Sequence, residues 1–259
     1  APLPTESETS GSPVRAGLSG MRRAAGLGAR MISARLRLAL GRPVRLAGAW
    51  PDRGAALSAL GAHERAGYDD AALVDVHAAR MAELHPWDYP VLFWLDRWLA
   101  PGARVLDCGG HLGAKYRAFS GHLDLSDVRW TVQEVPAMVQ AGRAAAAAGR
   151  LPPGLRFVTG AREAGPADLL LASGLLQYLD RPFRALVAEL PAPPPRIVLN
   201  KVAVRDGSEV VTLEQIGARR VPYRIRSALE IEAEIAAMGD AMRDPSANPP
   251  LANVGATHH

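Results

Sequence analysis

The stretch Arg104 to Tyr116, RVLDCGGHLGAKY, decides the fold. β-Forming residues run into an acid, Asp107, then into a glycine-rich turn at Gly109, Gly110 and Gly113, then into a helix-compatible segment. Glycines let the backbone turn tightly and let a ligand approach main-chain N–H groups that a Cβ would screen. In open α/β sheets ligands sit beyond the carboxyl ends of the strands, so such a turn faces the site. The spacing does not fit the dinucleotide fingerprint GxGxxG, and no GxxxxGK[ST] occurs, which excludes an NTP-binding P-loop.

Outward from this turn the chain alternates between short apolar runs and helical patterns, the signature of a parallel sheet with crossover helices. The expected strands are Arg104–Cys108, Arg129–Glu134, Leu155–Thr159, Ala167–Ala172 and Arg196–Asn200. Helices are expected near 113–121, 136–149, 174–190 (with an alternative late start at Arg181–Pro182) and 228–238. Ser227 and Glu230 stand at capping-box spacing before the last of these, and Gly239 follows its end. Before the sheet, 41–53 reads as a Gly/Pro connector and Ala55–Leu84 as helical, interrupted at Gly67–Asp70. His85–Pro86 ends that region, and Pro86–Leu99 starts another helix. Trp87, Tyr89, Phe93, Trp94 and Trp98 make the densest aromatic cluster, read as core packing with a lid over the ligand as the sharper alternative.

A chain of 259 residues with 48% hydrophobic and 22% charged residues is an ordinary globular protein with one sizeable core. Its single cysteine, Cys108, excludes an internal disulfide and a cysteine-rich zinc site, and a reducing cytoplasm is expected. Eight arginines and no acid lie between Val14 and Ala47, whereas the rest holds 22 basic and 26 acidic residues. The sequence therefore describes a mildly acidic body with a basic arm. Nothing interleaves aromatics with the basic residues, so no nucleic-acid partner is expected. The arm, 21–40, is suited either to lie on its own domain or to make peripheral contact with an anionic membrane. Residues 1–13 are small, polar and proline-bearing, which predicts a disordered tail.

The second expected strand ends in Glu134, 27 residues after Asp107. A carboxylate there can accept hydrogen bonds from both hydroxyls of a ribose. With these two features in place the chain resembles class I S-adenosylmethionine-dependent methyltransferases, whose first motif is DxGxGxG. Here it is DCGGHLG, with His111 in place of the middle glycine. Histidine is moderately enriched in the left-handed conformation such a turn requires. The wider pattern is closest to methyltransferases of the LIC12133 type: GYDD at 67, VLDCGGHLGAKY at 105, WTVQEVP at 130, LRFVT at 155, SGLLQYLDRP at 173 and VPYRIRS at 221.

The resemblance implies a Rossmann-like, doubly wound, mostly parallel sheet over 101–259, preceded by a tail (1–20) and an N-terminal basic and helical region (21–100). It also implies S-adenosylmethionine as cofactor, held by Asp107, Gly109, Gly110, Gly113, Glu134 and Ser173. This fold normally ends in an antiparallel hairpin, and Val254–His259 reads as the start of a last strand, so the C-terminal hairpin is expected to be short.

Methyl transfer from a sulfonium needs a positioned acceptor and, for a hydroxyl, a base at the strand ends. His111, Lys201 and Tyr178 are the candidate catalytic residues, with His85 second to His111 as a base. Lys115, Tyr116, Gln177 and Tyr223 are candidates for binding the acceptor; Lys115 and Lys201 are the only lysines of this arginine-biased chain. Arg219, Arg220, Tyr223 and Arg224 are expected in a proline-marked loop that could meet an anionic acceptor. No His, Asp or Glu spacing supports a metal. The function expected is O-methylation of a small polar or sugar-like molecule. Non-methylating use of the same donor, or a non-catalytic binding protein, stand as the alternatives.

Overall fold

The computed structural model describes residues 44–61, 83–217 and 219–239, with Ile32, Ser33, Leu36 and Leu40. The expectations for the tail, for most of the arm, for the GYDD interruption and for Val254–His259 lie outside the described residues. In chain order the elements are β1 (Leu46–Trp50), α1 (Arg53–Ser58), a 3-10 turn (Pro86–Asp88), α2 (Tyr89–Trp98), β2 (Arg104–Cys108) and α3 (Ala114–Phe119). Then come β3 (Arg129–Gln133), α4 (Pro136–Ala147), β4 (Leu155–Val158), α5 (Ala161–Ala164), β5 (Leu169–Ser173) and α6 (Phe183–Val187). The chain continues through β6 (Ile197–Asn200), β7 (Val204–Arg205), β8 (Val210–Ile216), β9 (Arg219–Ser227) and α7 (Ala228–Ala236).

Five strands form one sheet in the order β4-β3-β2-β5-β6, every pair parallel. Because successive side chains point to opposite faces, each strand feeds two cores. Val105, Trp130, Val132, Leu169 and Leu171 pack with Val91, Leu92 and Leu95 of α2, Phe119 of α3 and Val139 of α4. Leu106, Cys108, Leu170 and Ala172 pack on the other face with Ala161 of α5, Phe183, Leu186 and Val187 of α6 and Ile231 of α7. Helices on both faces make the sheet doubly wound, as the alternating pattern predicts. The chain moves outward from β2 to β4 on one side, then returns to place β5 and β6 on the other. The carboxyl ends of β2 and β5 are therefore the topological switch point where such folds open a crevice.

The expected strands are recovered within two residues at each end, and the late start is the correct one for the helix after β5. It runs from Phe183 to Val187, with Pro182 as its N-cap residue. Ser227 does precede α7, but its side chain makes no capping hydrogen bond.

A second sheet of order β1-β8-β9-β7 is the main departure from expectation. The connector at 41–53 contains strand β1, paired antiparallel with β8 through Leu46↔Glu214 and Trp50↔Val211, with a bulge between. At Gly48 a Cβ would stand 1.9 Å from the Trp50 ring, so the indole lies over a position only glycine can fill. The expected loop at 219–224 is the first part of β9, which pairs with β8 from Val210↔Ile225 to Ile216↔Arg219. Pro222 is tolerated because β7 pairs only with Arg226 and Ser227, which leaves β9 an edge where the proline has no N–H to offer. An antiparallel hairpin, β8–β9, is thus present just before the last described helix.

Candidate functional site

At the end of β2 the chain passes through two left-handed residues, Gly109 (φ 71°) and His111 (φ 54°), then a third, Gly113 (φ 71°), which caps α3. A Cβ on Gly109 would stand 3.0 Å from Leu175 Cδ1, on the turn after β5. One on Gly110 would overlap the Asp107 carboxylate at 2.4 Å, and one on Gly113 the Leu155 side chain at 2.6 Å. The glycines are therefore required by close packing beneath the turn as well as by its torsion angles.

Asp107 lies under this turn, 1% exposed, and accepts a hydrogen bond from Trp130 Nε1 at 3.1 Å. Burial pushes its carboxyl up to about 7, against the opposing influence of the Trp130 N–H and the Lys115 charge. Cys108 beside it is buried in the second core, and burial raises its thiol far above the ordinary value.

Glu134 follows β3 and is 4% exposed. Its Oε1 accepts the backbone N–H of His111 at 3.0 Å, and its Oε2 that of Val135 at 3.0 Å. Burial raises its pKa, and these two bonds oppose the rise. A carboxylate has about four acceptor positions, so each oxygen keeps a second one. His111 thus serves this site through its main chain, while its imidazole is 2% exposed.

On the other side of the switch point, Ser173 ends β5 and Asn200 ends β6. Asn200 Nδ2 donates to Ser173 Oγ at 3.2 Å and to Asp88 Oδ1 at 3.4 Å. Asp88, fully buried in the 3-10 turn, also accepts from Lys115 Nζ at 2.6 Å. Lys201 follows with φ 58°; it and His111 are the described non-glycine residues with positive φ. Such strain costs about 1–3 kcal/mol and concentrates at functional sites. Burial, then repulsion from Lys115, lowers the Lys201 pKa, and Asp88 opposes the fall. The Lys201 ammonium lies 5.7 Å from the centre of the Trp87 ring.

Gln177, 6% exposed, places its amide nitrogen within 4 Å of the point where a Cβ on Gly174 would stand, as does the end of Lys201. Its Oε1 and the indole Nε1 of Trp87 are both buried without a hydrogen-bond partner. The second sheet closes this side. The Tyr178 hydroxyl donates to Glu214 Oε2, Arg45 Nε donates to Glu214 Oε1 at 2.8 Å, and the Tyr178 and Tyr223 rings meet edge to face. The Arg224 N–H donates to the Gln177 carbonyl at 2.7 Å. Arg226, 8% exposed, donates to the carbonyls of Leu176 and Leu179 at 3.1 and 3.0 Å, clamping the turn after β5.

The predicted residues thus fall into separate groups. Glu134, His111 and the three glycines converge at the β2 turn, while Ser173, Lys201 and Gln177 converge at the β5–β6 ends. Lys115 is committed to Asp88. Tyr116 packs in the first core against Trp130, with ring centres 5.6 Å apart. Tyr223 is 3% exposed in β9, and burial pushes its hydroxyl up to about 12. His85 stacks on Trp87 at 4.7 Å and holds Asp88 Oδ2 by its backbone N–H at 3.1 Å. The aromatic cluster divides: Trp98 joins the first core, Tyr89 and Phe93 face solvent, and Trp87 reaches the site. Sequence reasoning missed Asp88, Arg45 and Glu214, none of which has a local signal. Among the described residues no cluster of His, Cys, Asp and Glu could hold a metal, and no helix is long and apolar enough to cross a membrane.

No protein-family model matches the chain, and no curated protein matches it in sequence. Solved structures to which the chain is similar include CalS10, an S-adenosylmethionine-bound amino pentose methyltransferase from Micromonospora echinaspora involved in calicheamicin biosynthesis. It is 19% identical, at a TM-score of 0.38 over 62% of this chain and 85% of that one. The glycopeptide N-methyltransferase MtfA in complex with S-adenosylhomocysteine is 14% identical, at a TM-score of 0.43 over 62% of this chain and 82% of that one. OxaC in complex with S-adenosylhomocysteine and oxaline is 13% identical, at a TM-score of 0.42 over 64% of this chain and 44% of that one. Such distant likenesses carry nothing about the reaction. The fold stands on the strand order itself.

Proposed function

We propose that the chain is an S-adenosylmethionine-dependent methyltransferase that methylates a hydroxyl of a small polar, sugar-like acceptor. The observation that carries this reading is the Glu134 carboxylate, held by the N–H groups of His111 and Val135 beside the glycine turn. Two acceptor positions left on two fixed oxygens match the two hydroxyls of a ribose. Gly109 and Gly110 give the turn the shape that brings the His111 N–H to Glu134, and Ser173 ends the neighbouring strand β5. These residues fit the donor's nucleoside.

When bound, the donor supplies a methyl group on a positively charged sulfur, already activated for displacement. The chain then has to hold the acceptor in line and take its proton. Lys201 is the base in this reading. Burial and the nearby Lys115 charge favour its neutral amine, its strained backbone fixes it at the β6 end, and no carboxylate forms an ion pair with it among the described residues. Lys201 Nζ would take the acceptor hydroxyl's proton, while the donor would supply the methyl group, its sulfur–carbon bond breaking to leave S-adenosylhomocysteine. His111 contributes its backbone N–H to Glu134, and Tyr178 is held by Glu214. The basic arm and its contact with anionic lipid remain part of the proposal, tested by vesicle flotation with and without residues 1–47.

Calorimetric titration with S-adenosylmethionine and S-adenosylhomocysteine tests the core of this reading. The wild type binds both, and Glu134→Ala weakens each about a hundredfold or more, as expected for two lost hydrogen bonds to a charged acceptor. If neither ligand binds the wild type below millimolar concentration, the reading fails.

A further inference from the structure

Two polar atoms, one on each of two side chains that neighbour Lys201, are unaccounted for by donor binding or by proton removal. Gln177 Oε1 and Trp87 Nε1 are buried without partners. Gln177 as a whole is 6% exposed, and its amide shares with the Lys201 amine the space against Gly174. The Trp87 ring lies beside that same amine. Neither side chain is held there by a hydrogen bond of its own, and both are fixed by the backbone. The N–H of Arg224 grips the Gln177 carbonyl, and Trp87 lies between Pro86 and the buried Asp88.

A buried acceptor and a buried donor left open on two side chains that neighbour one basic amine are costly unless a ligand satisfies both. We infer that Trp87 Nε1 and Gln177 Oε1 are the acceptor-reading pair of this site, and that the molecule methylated is a vicinal polyol. One of its oxygens accepts the indole N–H, a neighbouring hydroxyl donates to Gln177 Oε1, and the hydroxyl between or beside them faces Lys201. A phenol hydroxyl has one hydrogen, so once that hydrogen faces Lys201 it leaves Gln177 Oε1 without a donor. Sites built to hydrogen-bond a substrate hydroxyl reject the analogue lacking it by about 10⁴-fold. Trp87 and Gln177 are specificity-determining residues in this account. The inference rests on the methyltransferase reading above for the presence of the donor and the role of Lys201.

The test uses the full chain saturated with S-adenosylhomocysteine. The ¹⁵N–¹H spectrum of the five tryptophans contains one indole signal that Trp87→Phe removes, which identifies it as Trp87. Glycerol, myo-inositol and methyl α-D-glucoside are each titrated, with phenol for contrast. At least one polyol shifts the Trp87 signal saturably, and phenol does not. Gln177→Leu weakens that polyol about tenfold or more while leaving S-adenosylhomocysteine affinity unchanged, and Gln177→Glu, which keeps an acceptor oxygen, restores binding. Should Gln177→Leu lose the nucleoside ligand as well, Trp87→Phe is measured by calorimetry and shows the same tenfold loss of polyol. Three results overturn the inference: a Trp87 signal unmoved by all three polyols, phenol binding as tightly as a polyol, or both variants binding the polyol like wild type. Failure of S-adenosylhomocysteine to bind at the outset sinks the methyltransferase reading instead, so the two outcomes are distinct.

Discussion

Lys115 on α3 and Asp88 on the turn before α2 form an ion pair of 2.6 Å, with side-chain exposures of 9% and 0%. The pair ties the helix of the glycine turn to the segment that carries Trp87, and Asn200 joins it from β6. Three elements at the carboxyl ends of the strands are thereby held by one buried carboxylate. Removing one partner of such a pair leaves an uncompensated buried charge, which costs about 3–5 kcal/mol. Lys115→Met is expected to lower the urea-unfolding free energy by that amount. Lys115→Met with Asp88→Asn should recover most of it. A double variant as unstable as the single one would show that the pair acts by packing alone.

Gly110 has no room for a methyl group, since a Cβ would stand 2.4 Å from Asp107 Oδ2, and Trp130 holds that carboxylate from the side. Gly110→Ala should destabilise the fold by about 1–3 kcal/mol and weaken S-adenosylmethionine binding by displacing the turn. Gly121→Ala, where nothing lies within 4 Å of the new atom, should stay within about 0.5 kcal/mol of wild type. Equal effects at the two positions, read by thermal unfolding, would contradict the packing account.

Asp107 makes stability depend on pH. Burial raises its carboxyl from 3.8 to about 7, so the folded chain holds this proton more tightly than the unfolded one. Its contribution is fully present below the unfolded value and is lost as pH rises through the folded value. The expected decline is up to about 1.4 kcal/mol per pH unit across that window. Asp168 has the opposite sign: its bonds to Arg104 hold it down at about 2, and that contribution is lost only as pH falls toward this value. Urea unfolding between about pH 4 and about pH 7 should show the decline in wild type and a flatter profile in Asp107→Asn. Parallel profiles would assign the slope to another group.

Tyr178 donates to Glu214 across the two sheets, and Arg45 takes the other carboxylate oxygen. Tyr178→Phe removes one hydrogen bond but leaves Glu214 its cation, so a loss of about 1–2 kcal/mol is expected. S-adenosylhomocysteine affinity should not change. A variant of normal thermal stability that no longer transfers methyl groups would return the Tyr178 hydroxyl to the chemistry.

The amino-acid sequence by itself determined the parallel sheet, its order of strands and helices along the chain, the glycine turn and the acid at Glu134. Those features are local: a strand buried on both faces reads as an apolar run, and a tight turn needs glycine wherever it stands. It also marked His111 as a residue suited to a left-handed turn, which its φ of 54° bears out. The second sheet could not be read in this way, because β1 becomes a strand only by pairing Leu46 with Glu214, across most of the chain. Alone, a five-residue segment with a central glycine between proline-bearing turns carries the pattern of a loop. Proline in β9 misleads for the same reason, being acceptable only where β7 does not pair with the strand. The site divides along the same line. Glu134 and the glycines belong to one βαβ unit, whereas Asp88 meets Lys115, and Trp87 meets Lys201, only when the sheet brings distant strand ends together. Charge pairing and burial act through space, and no spacing in a sequence records them.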